Sequence, residues 1–429
     1  MLDINFIKEH KDEVIQAVKN KNKNVDVDQL LSLDDKRRKL IQEIQALREE
    51  RNVLAKSQDR ESAQKRGREI KDALKGLEST REEVEKKYNI LMESLPNVTH
   101  PNMPIGQDES SNVVLRKWGE PSHFDFAVRD HIELGRMLDM IDIETAAHVS
   151  GNRFYYLKNA AVMLQWAIIQ LVMHSLTNQT IVGDIARQVG NPSNRPFIPV
   201  LPPLMMKSQV MKMMDRLDPI DDRYYFEKDD LVLIGSAEHT LGPYYMNRVL
   251  AQKDLPIRMI GYSSAFRREA GSYGKDMKGI LRVHHFDKLE MESFSTDEQG
   301  EAEQDMLVGI QEYFMQQLEI PYQVVDICSG DTGKPDYRQI DIEAWVPSQK
   351  KYRETHSADY MTDFQARRLN IRYKTARGKK KFVYMNDATA FAIGRILIAL
   401  MENHQQADGS IRVPSALQKY TNFDTIKAS

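Results

Sequence analysis

Apolar spacing divides the chain into a purely helical start and a mixed remainder. In residues 7–19, Ile7, Val14, Ile15 and Val18 fall on one side of a short amphipathic helix. Asp26-Val27-Asp28 then supplies capping groups for a longer helix. Leu33, Leu40, Ile44, Leu47 and Leu54 form a heptad seam, with Arg37 and Arg51 at seam positions. A polar break at Ser57-Gln58-Asp59 and a glycine at Gly67 precede a second seam: Ile70, Leu74, Leu77, Arg81, Val84, Tyr88, Leu91 and Leu95. Steps of four and three are those of supercoiled helices, and Pro96 ends the second one. The pattern predicts an antiparallel helical hairpin, about 30 residues or ~45 Å per helix.

Prolines, glycines and polar residues crowd residues 96–123, which read as a linker. The boundary falls near Asn112, giving domains 1–111 and 112–429. Beyond it the period switches repeatedly. Residues 131–139 and 160–177 read as helices, and residues 154–157, 197–204, 231–234 and 341–347 as strands. The prolines at the end of 197–204 suit an edge strand. Ile257, Met259, Tyr262 and Phe266 alternate along another strand. A loop at 271–276 follows, with a second β-like run at 280–283 and a helix over 391–400. The fold class is α+β: a coiled-coil arm followed by a domain of strands and helices.

Length allows two domains, one with a sizeable core. With 60 basic and 63 acidic residues among 429, the net charge of −3 neither supports nor excludes a polyanionic partner. Local charge says more: Lys56, Arg60, Lys65, Arg66, Arg68 and Lys71 cluster at the hairpin tip, where they could meet phosphates or simply be solvated. Cys328 is the single cysteine, so no intramolecular disulfide forms and a reducing compartment fits. The first residues lack a signal peptide's pattern, and no apolar run approaches the roughly 20 residues of a membrane span. The chain reads as cytoplasmic.

Four segments carry candidate chemistry. Arg267 and Glu269, two residues apart on a strand face, suit a nucleotide: the guanidinium for phosphate and the carboxylate for an adenine amino group, with Phe286 to stack on the base. A surface ion pair explains the same residues. Gly235-Ser236-Ala237-Glu238 ends an apolar strand with a hydroxyl and a carboxylate that suit a small polar amino acid, although helix capping is the ordinary role of such a serine. Glu354 and Ser357 offer hard oxygens for Mg2+, or lie in a solvated loop. Arg395, alone in an apolar helix, needs an anion or an internal acid.

The stretch FRREAGSYGKDMKGILRVHHFDKLE resembles motif 2 of the class II aminoacyl-tRNA synthetases, and in particular the seryl-tRNA synthetases. The opening MLDINFIKEHKDEVIQAVKNK, ALREERNVLAK, LPNVTHPNMPIGQDESSN and GSIRVPSALQKY resemble the same family, so the likeness spans nearly the whole chain. It implies a catalytic domain with a mixed, mainly antiparallel sheet and motif 1 at 197–204 in a homodimer interface. It also implies an arm that holds the long variable arm of tRNA(Ser), with selenocysteine tRNA left open as a second acceptor. The implied substrates are ATP and L-serine, with Mg2+. The implied ATP-binding residues are Arg267, Arg268, Glu269, Phe286, Glu354, Thr355, His356, Ser357 and Arg395. Arg267 and Arg395 are catalytic among them, and Glu354 and Ser357 ligate the metal. Ser236, Ala237, Glu238, Glu290 and Thr389 are the implied serine site.

Two carboxylates, Glu238 and Glu290, meeting at one point would be costly unless a cationic group is bound. Departures from the family pattern include His285 in place of Gln, Ser236 in place of Thr, Thr389 in place of Ser, and SADYMTDFQARR in place of SCSNCEDFQARR. In that last segment Tyr360 and Thr362 mark where an unusual site wall is expected. The departures at Ser236 and Tyr360 also leave open a ligase that charges a carrier protein or a natural product.

Overall fold

A computed structural model describes residues 1–56, 59–270 and 278–428. The chain forms two compact units, Met1–Val98 and Thr99–Ser429.

The first unit is helical. The expected single helix at 7–19 is two, α1 (Ile4–Glu9) and α2 (Lys11–Asn20), because His10 leaves helical geometry at φ −119° and ψ 39°. The Asp26 side chain caps α3 (Val27–Leu54) by accepting from the Gln29 amide at 2.8 Å. Asp59 caps α4 (Arg60–Ser94) through the Ser62 amide. Both match the signature of a short acidic residue before an apolar-periodic run. Part of the expected polar break, Ser57 and Gln58, lies outside the described residues.

The seams meet as read. Ile44, Ile70 and Leu74 are buried together, with Leu47, Leu54 and Leu77 packed around them. The Arg37 guanidinium lies over the Tyr88 ring at 4.7 Å, whereas Arg51 is exposed. The seam reading missed Asp34, which is fully buried and collects Lys8 (2.8 Å), Arg37 (3.0 Å) and Arg38 (2.8 Å). One carboxylate thus ties α1 to α3.

Among the described residues, the second unit is built on an eight-stranded sheet. Its strands are β1 (Val113–Trp118), β2 (Ile198–Val200), β3 (Ile257–Phe266), β4 (His285–Ser295), β5 (Tyr322–Asp326), β6 (Arg338–Val346), β7 (Lys351–Tyr360) and β8 (Tyr384–Ala392). Their order is β1-β5-β6-β7-β8-β4-β3-β2, antiparallel except for the edge pair β2–β3. Helices Ala160–Thr177, Gly300–Gln317 and Ile393–Asn403 share a core with every second residue of the central strands: Leu289 and Met291, Ala388 and Ala390, Ala358, and Ile340 and Ile342. The residues between them face the other way. That face carries Lys288, Glu290 and Glu292 on β4, Asp387 and Thr389 on β8, and Ser357 and Asp359 on β7.

The helix Ala160–Thr177 is apolar and long enough to cross a membrane by composition, with a mean hydropathy of 1.4, but half of it is buried inside the unit. Leu164, Ile168 and Val172 are in the core.

Several boundaries differ from the sequence expectation. Residues 280–283 are not a strand. Gly279 takes φ +76°, and the Ile280 carbonyl lies so close to Gly394 that a β-carbon there would sit 2.9 Å from it. This turn therefore packs on the start of the Ile393–Asn403 helix instead of continuing the sheet. The loop at 271–276 lies outside the described residues. The strand at 154–157 shortens to Tyr156–Leu157, and 197–204 keeps only Ile198–Val200. The helix expected from 391 begins at Ile393, because β8 holds its pairing with β4 through Ala392. Residues 99–111 pack with the second unit: the His100 amide donates to Tyr337 O at 2.9 Å and the Ser329 amide to Pro104 O at 2.9 Å.

The Asp34 cluster generates a test. Its partners are partly solvated, so Asp34→Ala should lower the stability of the first unit by about 1–3 kcal/mol. The loss should shrink as pH falls below about 4, because the cationic partners outweigh burial and hold Asp34 ionised in the fold. Thermal melts followed by helical circular dichroism, on the full chain, would register it. Unchanged melts would remove Asp34 from the account.

Candidate active site

Residues from all four candidate segments line one cavity on the polar face of the sheet, with about 940 Å³ of space, open solvent included. Arg267, Glu269, Phe286, Glu354, Thr355, Ser357, Thr389, Arg395 and Glu238 are all on its wall.

Arg267 follows β3, its Nε donating to Gly235 O at 3.1 Å while its guanidinium lies 5.3 Å from the Phe286 ring centre. The arginine is thus already clamped, with Phe286 beside it. Glu269 is placed differently from the expectation. The strand ends at Phe266, Glu269 has φ +52°, and its carboxylate pairs with Arg282 at 2.8 Å. Glu269 and Arg267 do not share a strand face; the turn brings them to the cavity from different directions.

On β7 the alternation is broken on purpose. Ile342 faces His356 and Glu343 faces Glu354, which leaves Thr355 as the extra residue of a bulge. The bulge turns Glu354 to the cavity side, where its carboxylate meets Arg395 Nη1 at 2.8 Å. So the partner of the lone helical arginine is an acid, and that acid is the expected metal ligand. Ser357 Oγ lies 3.4 Å from Thr389 Oγ1 across the β7–β8 seam.

Three predicted side chains are elsewhere. His356 points into the core and lies 5.2 Å from the Phe391 ring, because strand period two sends it away from the site. Ala237 is buried in an apolar cluster with Leu241, Met259 and Phe294. The Arg268 guanidinium sits over Tyr224 at 5.9 Å. Tyr360, where the wall was expected to differ, also faces away: it packs edge-on to Tyr337 at 5.4 Å and beside Tyr384. Its neighbour Asp359 is on the cavity wall instead. Thr362 lies beyond β7, its hydroxyl donating to Met361 O.

Ser236 does not cap a helix. Its Oγ donates to Glu290 Oε2 at 3.2 Å and accepts from Lys288 Nζ at 3.1 Å. Lys288 Nζ also pairs with Glu290 at 2.6 Å. Glu238 pairs with Arg216 Nε at 3.0 Å. The sequence reading missed both cations. Lys288 was legible as the residue two before Glu290 on the same strand face, whereas Arg216 sits in a loop with no periodic signal.

The missed set is otherwise acidic. Glu292 and Asp387 are directly opposed across β4 and β8, and Asp359 and Asp387 across β7 and β8. One carboxylate oxygen each from Glu238, Glu290 and Asp387 lies within 4.8 Å of the others. Burial outweighs the Lys288 charge and pushes the Glu290 carboxyl up to about 7. Burial, then the charges of Asp387, Glu238 and Glu290, raise Glu292 well above the ordinary carboxylate range. Glu238 goes the other way: burial opposes its charge, but Arg216 outweighs it and holds the carboxyl low.

Residues 224–404 match the tRNA synthetase class II core domain (G, H, P, S and T). With the antiparallel sheet and the arginine-lined cavity, the second unit is the catalytic core of a class II aminoacyl-tRNA synthetase. Residues 1–99 match the seryl-tRNA synthetase N-terminal domain. The chain is 39% identical to the serine–tRNA ligase of Treponema denticola, covering 99% of this chain and all of the relative. It is 37% identical to that of Dictyoglomus turgidum over 100% of this chain and 99% of the relative. The seryl-tRNA synthetase of Pyrococcus horikoshii, solved in complex with ATP, superposes with a TM-score of 0.88 at 36% identity over the full length of both chains. The chain belongs to the seryl-tRNA synthetase family. Similarity over both units leaves the carrier-protein ligase without support.

The buried acids give a pH signature. A carboxyl raised in the fold keeps its proton where the unfolded chain has lost it, so stability falls as pH rises from about 4.3. Glu292→Gln removes one such group. Its melting temperature relative to the parent should therefore climb between about pH 5 and about pH 8. Two parallel curves in differential scanning fluorimetry would contradict the burial of a titrating acid there.

Proposed function

We propose that this chain activates L-serine with ATP and transfers it to the 3′ end of tRNA(Ser). The observation that carries the reading is the gathering of Arg267, Phe286, Glu354 and Arg395 around one cavity that also reaches Glu238 and Thr389.

ATP enters with its phosphates against Arg267 and Arg395, whose guanidiniums match phosphate oxygens in geometry and charge. The base lies on Phe286, with Glu269 accepting from its amino group. Glu354 and Ser357 would hold Mg2+ as hard oxygen donors on one strand; the bound ion would offset phosphate charge. Serine places its ammonium at Glu238 and Glu290 and its hydroxyl toward Ser236 and Thr389. When the ammonium takes over Glu290, Lys288 is released to face the serine carboxylate. That carboxylate attacks the α-phosphorus, and pyrophosphate leaves. The tRNA hydroxyl then attacks the seryl carbonyl and displaces AMP. No side chain bonds covalently to substrate; the chain contributes position and charge compensation.

The first unit holds tRNA. At its tip Lys56, Arg60, Lys65, Arg68 and Lys71 are exposed and, among the described residues, in no ion pair, while Arg66 pairs with Glu50 and Glu69. Contacts to phosphate and shape are what an A-form RNA helix permits. A homodimer fits the edge strand β2, where Ile198 is 49% and Leu201 79% exposed, near the exposed Trp166 on the helix packed against it. A cytoplasmic setting fits the one cysteine, Cys328, buried and unpaired.

Arg267→Ala should reduce serine-dependent ATP–pyrophosphate exchange by at least about 100-fold; near-normal exchange would refute its role. Reversing charge at Lys65, Arg68 and Lys71 should raise the KM for tRNA by about tenfold or more and flatten its salt dependence. Exchange, which needs no tRNA, should stay at the parent rate. Unchanged aminoacylation would disconnect the tip from tRNA.

A further inference from the structure

The polar face of the sheet carries more acid than a serine site requires. Among the described residues, Glu238, Glu290, Glu292, Asp359 and Asp387 converge there, and Arg216 and Lys288 are the cations that meet them. Arg216 reaches Glu238 at 3.0 Å, Asp387 at 3.5 Å and Asp359 at 4.0 Å, so it is already shared among three acids. Lys288 is spent on Glu290 and Ser236. The α-ammonium of an amino acid would offset one further charge.

Glu292 is an independent sign that something cationic belongs there. It is fully buried, and neither carboxylate oxygen has a hydrogen-bond partner. Strand period and register aim it at the cluster: Glu290 is two residues away on the same face, and Asp387 is its direct cross-strand partner. One oxygen of Asp387, one of Asp359 and one of Glu290 are likewise buried without a hydrogen-bond partner. An isolated buried acid of this kind is costly unless it is protonated or meets a donor.

The cluster begins where the serine side chain should end. Thr389, expected at the hydroxyl, is two residues from Asp387 on β8, and Asp359 is on the cavity wall two residues beyond Ser357 on β7. A group at the hydroxyl's position therefore looks toward carboxylates on two adjacent strands. The three oxygens of Glu238, Glu290 and Asp387, within 4.8 Å of one another, span about what one tetrahedral ammonium, the α-ammonium, needs when each N–H···O contact is near 2.8 Å, which leaves Asp359 and Glu292 outside that set. A divalent ion would sit beside the Arg216 guanidinium and be repelled by it.

We propose that this pocket also activates an α-amino acid with a short cationic side chain, with L-2,3-diaminopropionate, in which an ammonium replaces the serine hydroxyl, as the best-fitting member of the class. The inference rests on the adenylation reading above. The step balances in the same way: a carboxylate oxygen bonds to the α-phosphorus of ATP, the bond to the β-phosphate oxygen breaks, and pyrophosphate departs with its electron pair. The side-chain ammonium keeps its protons and donates them to Asp387, Asp359 and the Glu292 side.

The test is ATP–pyrophosphate exchange with the full-length protein at about pH 7, using L-serine, L-2,3-diaminopropionate and L-alanine in parallel. The expected result is a kcat/KM for diaminopropionate within about tenfold of that for serine and at least about 100-fold above alanine. Asp387→Asn and Glu292→Gln should each lower the diaminopropionate-to-serine ratio by about tenfold or more. Serine-driven exchange with diaminopropionate no better than alanine overturns the inference and leaves the serine reading intact. Exchange with none of the three overturns both. If Mg2+ or Zn2+ alone raises the melting temperature and Asp387→Asn abolishes that rise, the cluster is a metal site and the inference fails. The comparison of amino acids on the unsubstituted protein stands even if a variant does not fold.

Discussion

Everything in the catalytic unit depends on one buried ionic contact, Lys288 with Glu290, and on the sheet that forces it. Strand β4 reads Lys288-Leu289-Glu290-Met291-Glu292, and period two leaves it no choice. If Leu289 and Met291 fill the core, three charged side chains must share the opposite face. Such a face survives burial only when its charges are compensated, by protein cations, by protons or by ligand. Lys288 and Arg216 provide the first, and the raised Glu292 carboxyl the second. The ammonium of the proposed serine substrate provides the third. The fold thus carries buried charge that needs compensation on one face of an otherwise ordinary antiparallel sheet.

What could be read from the chain follows the same logic. The helical arm was legible because its second seam repeats over eight positions from Ile70 to Leu95 and because Asp26 stands where a cap should. Glu290, Thr389 and Ser357, named from the family resemblance, all lie on the polar face of regular strands. The reading failed where regularity breaks. Glu269 was assigned to a strand that ends at Phe266, and its left-handed backbone gave no signal in a stretch already crowded with charge. The bulge at Thr355, which re-aims Glu354 and leaves His356 in the core, depends on pairing with β6 and is invisible in β7 alone. Arg216 comes from a loop distant in sequence. The unusual wall was expected at Tyr360 and Thr362, but Tyr360 packs on Tyr337 and its neighbour Asp359 lines the cavity.

The two units divide the labour in a way their charge reflects. The hairpin holds its one buried acid, Asp34, with three cations and leaves a basic tip in solvent. The catalytic unit concentrates acid beneath its cavity and arginines at the mouth. A net charge of −3 for the whole chain conceals both. Composition therefore says little about a chain whose local charges differ in sign between its two units.

The most direct measurement of the central claim is the number of protons exchanged when L-serine binds. Calorimetric titration at about pH 7, in two buffers of different ionisation enthalpy and with a non-hydrolysable ATP analogue present, yields that number. A site whose buried acids hold protons until an ammonium arrives should release roughly one proton per serine bound. Binding with no proton released, or with protons taken up, would mean the acids are already ionised and balanced, and the account of the sheet's charged face would be wrong.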